Sequence, residues 1–78
     1  MIIKNPIEVQ ITSILKIIKR IRQEKGVSQY EMSSRLCISQ NTYFKIEKGK
    51  TKLDAYRLIQ ISNILEFRLS EVFNDLHL

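Results

Sequence analysis

The sequence predicts an all-α domain, and three observations carry that expectation. Its 78 residues contain two glycines and one proline, too few to punctuate a set of short strands. Alternation of apolar and polar residues between turn pairs, the mark of a half-buried strand, is nearly absent. Apolar residues recur instead at intervals of three and four, the spacing that lines one side of a helix.

Five helices follow in order. The first starts at "NPIE": Asn5 caps it, Pro6 suits the first helical position because an N–H there has no partner to lose, and Glu8 completes a capping box. Ile7, Ile11, Ile14, Ile18 and Ile21 then make one apolar stripe ending near Gly26, a C-terminal cap, after about five turns. The second start is "SQYE", where Ser28 caps, Glu31 sits three residues on, and Met32, Ser33 and Leu36 face inward until the helix stops near Cys37. A third helix runs from Ser39 to Gly49, so only "CIS" separates it from the second. Two short helices joined that tightly cross steeply, as in a helix-turn-helix. The fourth lies within Leu53 to Leu65, capped by Thr51 or Asp54, with Ala55, Leu58, Ile59, Ser62 and Leu65 on one side. The fifth starts at Ser70, has Glu71 in its first turn, and carries Val72 and Phe73 into the core. No repeat, linker or low-complexity segment interrupts the chain, so residues 1–78 read as a single domain.

A domain of this size buries only about two thirds of the surface its unfolded chain exposes, which leaves little volume for an enclosed active site and favours a binding module. Lysine and arginine outnumber aspartate and glutamate by 13 to 8, and the excess is uneven. Lys16 to Lys52 holds ten basic side chains against three carboxylates, while the remainder holds three against five. An electropositive middle points to phosphate or another anionic partner. A single cysteine, Cys37, excludes an internal disulfide, and with a single histidine, His77, the usual zinc spacings are impossible. No metal, cofactor or small-molecule ligand is expected. An enzyme is disfavoured: His77 sits at the C-terminus, no glycine-rich loop could cradle phosphate, and the carboxylates are thinly spread. "MIIKNPIEVQ" has no apolar run of signal-peptide length, and nothing approaches the roughly 20 apolar residues of a membrane span. A soluble, cytoplasmic protein is the expectation.

The third helix separates its residues sharply. Tyr43, Ile46 and Glu47 face one way, and Asn41, Phe44, Lys45 and Lys48 face the other. That second face is amide, aromatic and cationic, without a carboxylate.

Three stretches together, "IKRIRQEKGVSQYEMSSRL", "ISQNTYFKIEKGKTKL" and "LIQISNILEFRLSEVF", resemble the lambda-repressor-like helix-turn-helix proteins (Cro and phage-repressor type, XRE family) over Ile14 to Phe73. Ile-Arg before Lys-Gly, Ser-Gln opening the second helix and Ile-Glu-x-Gly closing the third fall in the family's order and spacing. The resemblance implies a compact five-helix domain whose third helix enters the major groove of double-stranded DNA. On that footing Gln40 and Asn41 look like positions that reach base edges, and amides can bind adenine bidentately. Lys45 could reach guanine or a phosphate, and Phe44 a thymine methyl. Ser28 and Gln29, at the positive end of the second helix, resemble a phosphate clamp, although Ser28 is also needed as a cap. Thr42, Lys48, Lys50 and Lys52 are further phosphate candidates, and each of these exposed residues has the plainer reading of a solvated side chain. Arg22 and Glu47 stand where the family forms an ion pair tying the first helix to the end of the recognition helix.

Three departures from the family pattern stand out. Cys37 and Glu66 occupy places where many members carry glycine, so each needs either a left-handed backbone or another cap. Cys37 could serve as a redox sensor, but a buried or semi-buried inert thiol is the expectation. Leu53 replaces a frequent proline.

The implied function is a sequence-specific transcriptional regulator, a homodimer on a palindromic operator. Phage repressors, controllers of restriction-modification systems and antitoxins all fit, and the absence of a further domain suggests control through concentration, dimerisation or a partner. The competing class is a protein-interaction module, antitoxin-like or adaptor-like, with DNA binding secondary. Apolar residues in excess of one small core, Ile2, Ile3, Leu15, Ile17, Leu76 and Leu78, favour it, and serve a homodimer equally well.

Overall fold

A computed structural model of the chain describes residues 5–76, in which the regular elements are five helices. They are α1 (Pro6–Glu24), α2 (Gln29–Leu36), α3 (Gln40–Glu47), α4 (Ala55–Leu65) and α5 (Leu69–Asp75). Four have side-chain N-caps. Asn5 Oδ1 accepts from the Glu8 N–H at 2.9 Å, Ser28 Oγ from Glu31 at 3.0 Å, Ser39 Oγ from Thr42 at 3.0 Å and Asp54 Oδ1 from Arg57 at 2.7 Å. Each satisfies a backbone donor that the helix itself leaves orphaned. Between the two possible caps of α4, the structure selects Asp54.

The first four helices end alike. Gly26, Cys37, Gly49 and Glu66 take φ of 70°, 58°, 74° and 56°, and the next residue's N–H reaches back five positions: Val27 to Arg22, Ile38 to Ser33, Lys50 to Lys45, Phe67 to Ser62, all at 2.9 to 3.1 Å. This is the left-handed Schellman termination, in which an apolar residue after the turn packs on the helix it closes. Val27, Ile38 and Phe67 pack against the core in that way. In the third termination the place falls to Lys50, which is exposed.

The core gathers Ile14 and Ile18 of α1, Met32 and Leu36 of α2, Tyr43 and Ile46 of α3, Ile61 and Leu65 of α4, Phe67, and Val72 of α5. Several assignments differ from the sequence reading. Ile7 is 68% exposed, because the first turn of α1 carries the apolar stripe onward where little packs over it. Leu15 is buried and Ile17 half-buried against the core, so neither is surplus. On α4, Ala55 is exposed and Ile59 is 49% exposed, while Ile61 is fully buried: the helix docks on its Leu58, Ile61, Ser62 and Leu65 side. The last helix begins at Leu69, not Ser70, and its N-cap, Arg68, makes no side-chain capping bond. Phe73 is 40% exposed, and Phe67, just before the helix, fills the core instead. Cys37 is exposed, because a residue in the left-handed turn directs its side chain outward. Ile2, Ile3, His77 and Leu78 lie outside the described residues. Among those described, no helix is long and apolar enough to cross a membrane.

Candidate nucleic-acid interface

α3 is anchored along one side and open along the other. Tyr43 and Ile46 are buried in the core and Glu47 at its margin, while Gln40, Asn41, Thr42, Lys45 and Lys48 are exposed and Phe44 is partly so. The eight-residue helix has no acidic residue in its first turn and Lys45 in its last, so its open face carries amide, hydroxyl, aromatic and cationic groups and no carboxylate. Ser39 sets the start of that face. Its Oγ lies 2.7 Å from Thr42 Oγ1, so a Ser39 proton given to Thr42 leaves the Thr42 hydroxyl free to donate outward. One turn further, Lys48 Nζ stands 5.6 Å from the Phe44 ring centroid, a cation–π contact that covers one face of the ring.

The anchor is Arg22. Its Nε donates to Glu47 Oε2 at 3.0 Å and its Nη2 to Oε1 at 2.9 Å, a bidentate pair buried on both sides, while Nη1 donates to the Val27 carbonyl at 2.8 Å. One guanidinium therefore joins the end of α1, the turn after it and the last turn of α3. Hydrogen bonding to Glu47 raises the Arg22 pKa against the opposing effect of burial. Burial works to raise the Glu47 carboxyl, but hydrogen bonding to Arg22, the nearby Tyr43 hydroxyl and the Arg22 charge together outweigh it and hold the group below its ordinary value. Burial, and after it the neighbouring carboxylate, pushes the Tyr43 phenol well up, and its hydroxyl has no partner of good hydrogen-bond geometry. The Val27 carbonyl was not foreseen as part of this anchor. The available signal was its place directly after Gly26, where the chain turns back over the helix end.

Ser28 and Gln29 sit at the start of α2. The Ser28 oxygen accepts from Glu31, which leaves its hydroxyl proton to donate. Gln29 is half-buried and near enough to Glu47 to add to the lowering of that carboxyl, so the α2 N-terminus lies beside the last turn of α3. Lys50 and Lys52 are exposed on the loop after α3, and the backbone of Lys50 is fixed by its bond to the Lys45 carbonyl. That loop and the first two turns of α1 border an open groove lined by Ile7, Ile11, Lys48, Lys50 and Leu53 among others. A second, smaller groove lies between Lys16, Lys19 and Lys48 over Thr12 and Leu15.

The helix-turn-helix family matches residues 18–72. The chain is also similar to the SPbeta prophage-derived uncharacterized HTH-type transcriptional regulator YonR of Bacillus subtilis (strain 168), at 35% identity over 71 aligned residues. That alignment covers 74% of this chain and 66% of the relative, so the match spans slightly under two thirds of the relative's length. No solved structure matches the chain significantly.

Proposed function

The chain belongs to the helix-turn-helix family of lambda-repressor-like (XRE-type) proteins, and on that premise we propose that it is a sequence-specific DNA-binding transcriptional regulator acting as a homodimer. The observation that carries this reading is the exposed face of α3, free of carboxylates, on a helix whose other face is buried in the core and tied to α1 by Arg22. In the proposed complex α3 lies in the major groove. Gln40 and Asn41 read base edges, Phe44 offers its open ring face to a thymine methyl, and Lys45 reaches guanine or a phosphate. Ser28, Gln29, Thr42, Lys48, Lys50 and Lys52 hold the phosphate backbone and fix register. Two copies would place their recognition helices about 34 to 36 Å apart, on successive major grooves of a palindromic operator.

The exposed Tyr56, Ile59 and Phe73 favour a protein-interaction surface as well. A second copy of the chain satisfies it as readily as a foreign partner. Selection of bound fragments from sheared host DNA at moderate salt, followed by sequencing, tests the proposal. Enrichment of one short two-fold-symmetric site is expected. Recovery of unrelated fragments that dissociate as salt rises would overturn sequence reading and leave the interaction module.

A further inference from the structure

The two grooves share Lys48 as a common wall, and the sharing joins five lysines into one arc. Lys50 and Lys52 border the first groove with it, and Lys16 and Lys19 of α1 border the second. All five side chains are exposed, and among the described residues none is held in an ion pair. The carboxylate at the second groove, Glu47, is already occupied by Arg22 through both oxygens, and the one at the first, Glu8, lies at the N-terminal end of α1. The ammonium groups therefore have no internal counterion near the middle of the arc.

Shape decides what such a set of charges can hold. Lys16 and Lys19 are one helical turn apart, about 5 to 6 Å between their Cβ atoms, and the carboxylate lining their groove is Glu47. Single charges spaced along a line suit a polyanion better than one small anion. The line also starts at Lys48, the C-cap of α3, one turn beyond Phe44 and Lys45.

We propose that Lys16 and Lys19 bind the phosphate backbone of the same duplex that α3 reads, so that the DNA footprint passes through Lys48 onto the polar face of α1. The inference rests on the DNA-binding reading above and extends it to two residues outside the helix-turn-helix.

The test uses the full chain and a mixed-sequence DNA duplex, with affinity measured across a range of salt. Each lysine that neutralises a phosphate contributes about 0.9 to the slope of log affinity against log salt, so Lys16→Gln/Lys19→Gln should flatten the slope by about 1.8. Lys25→Gln/Arg68→Gln removes the same charge elsewhere: Lys25 Nζ reaches the Glu66 carbonyl at the C-terminal end of α4, roughly 16 Å along that helix from the lysine loop. This control should leave the slope unchanged. Lys50→Gln reports on the α3 loop by itself. A slope lowered by Lys50→Gln and untouched by Lys16→Gln/Lys19→Gln would overturn the α1 contact while leaving the regulator reading in place. Equal flattening by the control would overturn it too, by reducing the effect to net charge. A wild-type chain that binds no duplex at low salt would overturn both readings. Loss of binding to phosphatidylserine vesicles, with duplex binding intact, would reassign the lysines to a lipid surface.

Discussion

Removing Glu47 should take away a large share of the domain's stability, and the reason lies in what it leaves behind. Glu47→Leu strands the Arg22 guanidinium, with two of its donors unpaired in a buried site. A stranded buried charge costs about 3 to 5 kcal/mol, against a total stability of about 4 to 12 kcal/mol for a chain of this length. Replacing both partners removes the charge as well as the bond. Arg22→Met/Glu47→Leu should lose chiefly the hydrogen bond to the Val27 carbonyl, about 1 kcal/mol, because desolvating an ion pair offsets most of its attraction. Urea denaturation of the four proteins closes the cycle. Acid dependence gives an independent check. Glu47 titrates below its ordinary value of 4.5 in the folded protein, so its contribution is fully present above the unfolded value and is lost as pH falls through the folded one. In Arg22→Met the sign reverses: burial without the guanidinium raises the carboxyl, and stability should increase as pH falls. A double variant as unstable as either single one, or an Arg22→Met protein that weakens in acid like wild type, would refute the reasoning.

Further outcomes are expected elsewhere in the molecule. Gln40→Ala or Asn41→Ala should cost about 1 to 3 kcal/mol on the selected operator and little on random duplex, and equal losses on both would remove them from base reading. Cys37→Gly and Glu66→Gly should each stabilise by roughly 0.5 to 1 kcal/mol, since relief of about 1 to 2 kcal/mol of left-handed strain exceeds glycine's added chain entropy. Thermal melting would show this as a rise of a few degrees, and a fall would mean that the side chains make unrecognised contacts. Tyr43→Phe removes a buried hydroxyl without a good partner, so it should leave stability unchanged or raise it by about 1 kcal/mol; a loss of that size would show the hydroxyl to be bonded to Glu47.

Legibility in the sequence followed the distance over which each feature is decided. Asn5, Ser28 and Ser39 announce their helices because a cap is a contract between residues three apart. The division of α3 into a Tyr43–Ile46–Glu47 side and an exposed side is equally local, since every residue there has one clear periodic partner. In α4, "AYRLIQISNIL" offers apolar residues at 58, 59, 61, 64 and 65, so two overlapping stripes fit the period. Docking against the other helices, which no local pattern encodes, chose the stripe with Ile61 over the one with Ile59. Ile7 fits its stripe well and is exposed because it lies in the first turn of α1, at the edge of an open groove. Phe67 and Phe73 compete for the same core, and the winner is the one that follows the Glu66 turn. The Lys16 and Lys19 pair was visible as charge but not as a neighbour of Lys48, which only the packing of α1 beside the end of α3 provides.

Among the four helix terminations, the one after α3 lacks an apolar plug, and this sets where the domain opens first. Val27, Ile38 and Phe67 must leave the core before their backbone bonds can break, whereas Lys50 leaves only water. The Lys50 amide should therefore exchange its hydrogen faster than those of Val27, Ile38 and Phe67, through local opening instead of global unfolding. A phosphate seated on the Lys50 side chain would close that weak point from outside, so the end of α3 and the loop beyond it would gain their last stabilising contact from the bound duplex.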